Sequence, residues 1–356
     1  MMTIDSLTQS AIELLKNLIQ TPSFSSEEDA TALLLEQWFQ SFDIPYNRHQ
    51  NNVWATNKAF DDSKLTLLLN SHHDTVKPNS GYTKNPFDAH IEDGKLYGLG
   101  SNDAGGCLVS LLATFTYFYH QESLAYNLVF VGSAEEESSG SNGLNSMLSI
   151  IPKIDVAIVG EPTQMHLAIA EKGLVVFDIN VFGTPSHAAH PNTDNVLYNS
   201  IPIMQWIQNY KFEKTSDTLG KVKMTLTQIN AGQQHNAVPA KLSMVVDVRV
   251  NDCYSNQEVV DIIKEQLPNA EVSPRSTNLN SSSIPKNHPL VVAGTALGRE
   301  TYGSPTLSDQ AVLSCPSLKL GPGDSTRSHT ADEFIYVNEI EEGIAIYIQI
   351  LKNINI

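Results

Sequence analysis

Apolar residues return at helical spacing near the start of the chain: Leu7, Ala11, Leu14, Leu15 and Leu18 share one face, and Thr21-Pro22 ends the run. Residues 27–42 repeat the pattern behind Ser25-Ser26, a pair suited to capping a helix. Residues 64–71 (KLTLLLNS) are different, a short continuous apolar run between turn residues. Such a run predicts a strand buried on both faces, and 126–134 (YNLVFVGSA) and 155–160 (DVAIVG) repeat it. Between them, 103–119 predicts a helix opening on Asp103-Ala104-Gly105-Gly106. Strands alternating with helices predict an α/β sheet, and in open sheets of that kind ligands gather beyond the carboxyl ends of the strands.

Near residue 173 the texture changes. Residues 174–182 (LVVFDINVF) alternate in part, 222–230 and 242–250 alternate apolar with polar positions, and 194–209 and 255–266 read as helices. This predicts an α+β unit whose antiparallel sheet has one exposed face. Residues 276–289 (STNLNSSSIPKNHP) are polar and turn-rich, a return linker, and an amphipathic helix over 337–354 closes the chain. The expected organisation is therefore a discontinuous α/β domain, residues 1–172 and 283–356, interrupted by an inserted domain over 173–282. A length of 356 residues suits two domains of roughly 150 each.

Composition narrows the partners. Hydrophobic residues make up 41% and charged residues 17%, as in ordinary globular chains. The net charge of −17 repels phosphate backbones and anionic lipid, so neither nucleic acid nor membrane is an expected partner. No apolar run reaches the roughly 18 residues of a membrane span. The first residues lack the basic start and apolar core of a secretory signal, and the expected location is cytoplasmic. Cys107, Cys253 and Cys315 are odd in number and make no CxxC pair, which predicts reduced thiols.

Chemistry-bearing residues fall directly after the buried strands. NSHHDTVKP carries His72 and Asp74, two apart and so on one side of an extended chain, an arrangement in which a carboxylate fixes the tautomer of a ligating histidine. GLGSNDAGG carries Asp103, which a helix cap would also explain. GSAEEESSGSNG places Glu135, Glu136 and Glu137 at the end of a buried strand, where adjacent carboxylates are costly unless cations or protons offset them. IVGEPTQMH adds Glu161, and GPGDSTRSHTADEF adds His329. Mixed imidazole and carboxylate donors without cysteine suit Zn²⁺, with Co²⁺ or Mn²⁺ as substitutes, and the inventory suffices for two ions sharing one carboxylate.

In these motifs and in their order, from Ser71 to Glu333, the chain resembles the di-zinc deacylase and exopeptidase family that includes acetylornithine deacetylase, succinyl-diaminopimelate desuccinylase, aminoacylase and carboxypeptidase G. The stretches RSTNLNSSSI and GPGDSTRSHTADEF bring it nearest to the acetylornithine deacetylase branch. The resemblance implies a zinc-exopeptidase-like domain with a mixed, mainly parallel sheet and an inserted α+β lid and dimerisation domain. It implies that two Zn²⁺ are held by His72 and Glu161 on one side, by Glu137 and His329 on the other, and by Asp103 as a bridge. Asp74 then orients His72 and Glu136 is the general base. The family has Asp-Glu-Glu where this chain has Glu135-Glu136-Glu137, and a shift of one residue would move both roles.

In the inserted domain, FGTPSHAAHP matches the motif whose histidine, here His187, reaches the substrate carbonyl, with His190 as a neighbouring competitor. NAGQQHNAVPAKLSMVVDVRV matches the segment whose Asn236 and Arg249 contact substrate. Arg327 is a further expected substrate contact, while Arg275 and Lys172 are cations without an assigned place. The implied activity is hydrolysis of the amide bond of a small N-acyl amino acid, of an acetyl- or succinyl-ornithine or -citrulline type in arginine biosynthesis, by a homodimer. The alternatives are a desuccinylase or dipeptidase on the same fold and an inactive metal-binding scaffold. The chain departs from the family in Gly98-Leu99-Gly100 before Asp103, where Gly-Arg-Gly is usual, in Gly105, where a lysine is usual, and in the extra imidazole of His73.

Overall fold

The computed structural model describes residues 3–352 and Ile354. Two compact units divide the chain: one formed by the segments up to Ile169, Ser283–Tyr302 and from Ser308 onward, the other by Ala170–Ser282 and Gly303–Leu307.

The first unit is built on a mixed sheet. Its strands run in the order Asn47–His49, Asn52–Thr56, Asn127–Ser133, Thr66–His72, Val156–Val159, Ser317–Lys319, Leu167–Glu171. The four central strands, Asn127–Ser133 to Ser317–Lys319, are mutually parallel and the flanking pairings are antiparallel. Every residue of Thr66–His72, Asn127–Ser133 and Val156–Val159 is buried, because both sheet faces are covered. Alternate side chains serve different cores. Leu67, Leu69, Leu128, Phe130, Val156 and Ile158 join the cluster made with helices Ile4–Gln20, Gly106–Phe118 and Val337–Lys352. Leu68, Val129, Val131 and Ala157 turn to the opposite face and pack with Leu144, Met147 and Ile151.

Several helix ends differ from expectation. The first helix begins at Ile4 on a Thr3–Ser6 capping box. The second runs Asp29–Ser41 behind Glu28, and Ser25 and Ser26 do not cap it. The helix expected from residue 103 begins only at Gly106, and Asp103 is extended with φ −117 and ψ 99. The last helix ends at Lys352, and residue 353 of the expected span lies outside the described residues. Among the described residues no helix is long and apolar enough to cross a membrane. The three cysteines are free thiols, Cys107 buried and Cys253 and Cys315 half-buried.

The second unit is an antiparallel sheet in the order Lys223–Ala231, Lys241–Val250, Gly173–Phe182, Glu271–Pro274. Val175, Phe177, Ile179 and Val181 face a core closed by helices Ile201–Asn209 and Asn256–Gln266, while the residues between them are half-buried. The helix expected over 194–209 is two, Val196–Asn199 and Ile201–Asn209, split at Ser200 just ahead of Pro202.

Phe130 tests the first core. Its buried ring lies 5.9 Å from that of Phe39 and 6.0 Å from that of Phe115. Phe130→Ala is expected to lower unfolding free energy by about 3–5 kcal/mol, read from urea denaturation. A loss below about 1 kcal/mol would show that this ring is not part of the tightly packed core.

Candidate metal centre

Register brings the chemistry together. Pairing of Leu69 with Phe130 and Ile158 aligns three parallel strands, so that His72 stands opposite Ser133, and Asn70 opposite Val159. The chain segments leaving these strands carry Asp74, Glu135–Glu137 and Glu161 at one sheet edge. Two loops complete the edge, one with Asp103 and one with His329.

His72 is 1% exposed, and its Nδ1 lies 3.0 Å from the Asp74 carbonyl oxygen and 3.3 Å from Asp74 Oδ1. A proton on Nδ1 satisfies those acceptors and leaves the lone pair on Nε2. Nε2 is buried with no hydrogen-bond partner. It faces Asp103 Oδ1 at 3.4 Å, Glu161 Oε1 at 3.8 Å and Glu136 Oε2 at 3.9 Å. A buried nitrogen aimed at three carboxylates calls for positive charge between them, supplied by a proton or by a metal cation.

Asp74 does more than orient the imidazole. Its Oδ1 accepts the Glu136 N–H at 3.1 Å, and its Oδ2 accepts the Glu137 N–H at 3.1 Å and the Ser25 hydroxyl at 2.7 Å. One buried carboxylate thus fixes His72 and the backbone of two glutamates. Glu135 turns the other way. It adopts φ +55, and its carboxylate accepts from Ser26 Oγ (3.1 Å), Asn142 N (3.0 Å) and Asn142 Nδ2 (2.9 Å). The register of the triplet is therefore set by geometry: Glu136 and Glu137 face the cluster and Glu135 anchors the turn. His73 also points elsewhere, held between Thr31 Oγ1 (2.8 Å) and the Asn51 carbonyl (2.9 Å), and burial pulls it down to about 4.

On the far side, His329 Nε2 lies 3.0 Å and 3.1 Å from the two Glu137 oxygens and 3.6 Å from Asp103 Oδ2. The hydrogen bond to Glu137 raises its imidazole to about 9. Burial and neighbouring charge hold Glu136 and Glu161 above the usual carboxylate range. Without cations, this cluster must carry protons. Ligand atoms of His72, Asp103 and Glu137, and again of His72, Glu136 and Glu161, lie within 4.8 Å of one another. His72 thus belongs to both groups, and Glu136 stands as near to the second as Glu161 does.

Asp103 sits on a non-helical turn after Gly98 and Gly100, whose φ of +145 and +75 explain why glycine brackets Leu99. Buried Glu333 accepts the N–H groups of Asn102 (2.9 Å) and Asp103 (2.9 Å) on Oε1 and that of Gly100 (3.1 Å) on Oε2. Asn102 joins the same turn to Asp324, accepting its N–H at 3.0 Å and donating to its carbonyl at 3.0 Å. The Glu161 turn is tied in as well, through Thr163 N–H to the Gly321 carbonyl (3.1 Å) and Gln164 N–H to the Gly323 carbonyl (2.7 Å).

Some expected contacts sit differently. Arg327 makes a bidentate pair with Glu339 at 2.7 Å and 3.1 Å and lies over the rings of Phe334 and Tyr336. Its guanidinium is engaged with Glu339 and these rings, so a substrate contact by Arg327 requires exchange of that partner. In the second unit, the pairing of Ser186–His187 with Ala237–Val238 sets His187 beside Asn236, whose carbonyl accepts the Ala188 N–H at 2.9 Å. Both residues are exposed, and the His190 ring lies 5.7 Å from that of His187. Arg249 pairs with Asp247 on its own strand at 2.9 Å and 3.1 Å, and Arg275 with Asp178 at 2.9 Å through two nitrogens. Lys172 donates to the Lys221 carbonyl at 2.9 Å.

Sequence reading missed Ser25, Asn102, Glu333 and Asp309. Asp309 is buried, accepts from Ser133 Oγ at 2.6 Å, and is pushed by burial up to about 6. Glu333 alone left a signal, an acid beside the apolar segment 334–336 that becomes a strand.

The chain is 28% identical to acetylornithine deacetylase of Shigella sonnei (strain Ss046), over 96% of this chain and 97% of that protein. Its fold matches the aminopeptidase PepT of Bacillus cereus ATCC 10987, with a TM-score of 0.76, 15% identity and coverage of 97% and 98% of the two chains. It also matches the YXEP protein of Bacillus subtilis, a dinuclear metal-binding peptidase of the M20 family, with a TM-score of 0.74, 15% identity and 98% of each chain covered. The model of peptidase family M20/M25/M40 matches residues 68–353, a span that holds every residue of the cluster described above, and the chain belongs to that family of hydrolases.

Proposed function

We propose that this protein is a dinuclear metal-dependent amidohydrolase that removes the acyl group from a small N-acyl amino acid, with acetylornithine as the first candidate. The observation that carries the reading is the buried, partnerless Nε2 of His72 faced by three carboxylates. The relative that covers both chains almost end to end supports the choice of substrate. His72, Asp103 and Glu161 would hold one cation and Asp103, Glu137 and His329 the other, with Zn²⁺ the ion that best suits these donors. When bound, the ions would supply positive charge that polarises an amide carbonyl and eases deprotonation of water.

The chain's own residues do the rest. Glu135 is immobilised by three hydrogen bonds, whereas the Glu136 carboxylate lies within 3.9 Å of His72 Nε2. Glu136 takes the proton of the attacking water and returns it to the departing amine. Asp74 keeps the proton of His72 on Nδ1 and holds the backbone of Glu136 and Glu137. His187 and Asn236 would contact the scissile carbonyl and Arg249 the α-carboxylate, which a guanidinium grips through two bonds. For Arg249 this requires exchange of its present partner, Asp247. The second unit would also form the contact of a homodimer.

Glu136→Gln is expected to keep both cations, measured by elemental analysis, and to lose on the order of 10²–10⁴ in kcat. Turnover near that of the parent would remove Glu136 from proton transfer. Asp74→Asn is expected to weaken metal binding by about 10–100-fold in chelator competition, since its amide cannot accept from His72, Ser25 and two backbone N–H groups alike. Unchanged affinity would sink the orienting role. The substrate reading is tested on zinc-loaded protein with acetyl-ornithine, acetyl-citrulline, succinyl-ornithine and dipeptides side by side. The highest kcat/KM should fall on acetyl-ornithine, and a preference for dipeptides would replace the deacylase reading with an exopeptidase one.

A further inference from the structure

The turn that presents Asp103 is a single π-type turn, closed by Ser101 N–H to the Gly98 carbonyl (3.1 Å) and Gly105 N–H to the Gly100 carbonyl (2.9 Å), and neither bond engages Asp103 itself. Asp103 precedes the helix that begins at Gly106, its own φ and ψ are extended, and Gly98 and Gly100 on its approach occupy the left-handed region. Yet Asp103 lies between the two halves of the cluster, 3.4 Å from His72 through Oδ1 and 3.6 Å from His329 through Oδ2. A carboxylate that must reach two centres at once tolerates little rotation, so something outside the turn has to hold it.

The only carboxylate among the described residues recorded as accepting from three backbone N–H groups of this turn is that of Glu333. It is 2% exposed, and its two oxygens accept from Gly100, Asn102 and Asp103. Four residues earlier on the same loop stands His329, whose carbonyl is gripped by Asn79 Nδ2 at 3.1 Å. The neighbouring Asp332 accepts from Thr83 N (2.8 Å), Thr83 Oγ1 (2.5 Å) and Lys84 N (2.8 Å). At its other end the loop is tied by Asp324 to Asn102. The His329 loop and the Asp103 turn are therefore fastened at two points, Asn102 and Glu333, on either side of the two side chains that approach each other.

We propose that Glu333 is a positioning residue that fixes the orientation of Asp103, and with it the bridging of two cations, by binding the backbone of the turn that carries it. The proposal rests on reading the cluster as a dinuclear metal site. The Glu333 carboxylate acts through the backbone N–H groups of Gly100, Asn102 and Asp103. Both of its oxygens are part of the device, because three N–H donors converging on them leave no place for an amide NH₂. Glu333→Gln keeps the shape but turns one donor against another. Glu333→Asp keeps two acceptor oxygens and shortens the reach.

The test uses the full-length protein stripped of metal and reloaded with Mn²⁺, two equivalents per chain. Spin coupling between the two ions in electron paramagnetic resonance reports the shared carboxylate directly and needs no substrate. The parent should show a coupled pair. Glu333→Gln should bind the first ion within about twofold of the parent but lose the coupled signal and bind the second at least tenfold more weakly. Glu333→Asp should restore part of the coupling. Thermal melting of the metal-free proteins runs alongside, and the variants should melt close to the parent. Absence of a coupled pair in the parent would overturn the dinuclear reading itself. A coupled pair in the parent with equal coupling and equal second-ion affinity in Glu333→Gln would overturn the positioning role alone. Failure of both variants to fold would likewise overturn it, leaving Glu333 as a residue needed for folding.

Discussion

Negative charge crowded around a buried imidazole is the constraint to which this fold answers. Asp74, Asp103, Glu136, Glu137 and Glu161 converge on a buried His72 and an exposed His329. In such surroundings like charges drive one another toward protonation, and burial adds to the effect. Burial first, and neighbouring carboxylates second, hold Glu136 and Glu161 above the usual carboxylate range when no cation is counted, while the hydrogen bond to Glu137 raises His329. A pair of divalent ions removes the conflict. The same donors that destabilise an empty cluster then become its reason to exist, and a cluster of this kind is maintained against its own repulsion only by a rigid surround.

That surround has two parts. The sheet supplies the first: parallel strands locked in register by Leu69, Phe130 and Ile158 end at one level and deliver three ligand-bearing segments together. The second is a set of buried carboxylates that bind backbone N–H groups instead of metal. Asp74 holds the turn of Glu136 and Glu137, Glu135 and Glu28 hold the segment around Asn142, Asn51 and Ser26, and Glu333 holds the turn of Asp103. An acidic loop-rich site is thus stiffened by acids of a second kind, each satisfied by donors that a cation could not replace.

This division explains what the sequence could and could not disclose. Strands buried on both faces announce themselves as unbroken apolar runs, so the sheet and the positions of His72, Glu136, Glu137 and Glu161 just past its strands were legible. Periodicity also located the alternating strands of the second unit. The helix expected from Asp103 was misplaced by three residues because Gly100, Gly105 and Gly106 read as a loose helix start, whereas tertiary bonds to Glu333 pull the turn into an extended form. Ser25 looked like a cap and is instead a donor to Asp74, a contact spanning 49 residues that no local pattern encodes. Arg327 looked free for a ligand because its partner, Glu339, lies on the far side of a strand in the sequence.

The departures from the family pattern have physical readings too. Leu99, in place of a usual arginine, is buried at 4% exposure between two glycines of positive φ, so the turn here is shaped by packing and by backbone conformation. At Gly105, where a lysine is usual, a side chain would strike the Gly100 carbonyl and Leu15, leaving the turn closed against the first helix. Neither position carries a cation beside Asp103. Ser328 bonds the Asp103 carboxylate, and the backbone of the turn that carries it is bound by Glu333. Holding the turn through its main chain leaves the Asp103 oxygens turned to the cluster, Oδ1 toward His72 at 3.4 Å and Oδ2 toward His329 at 3.6 Å.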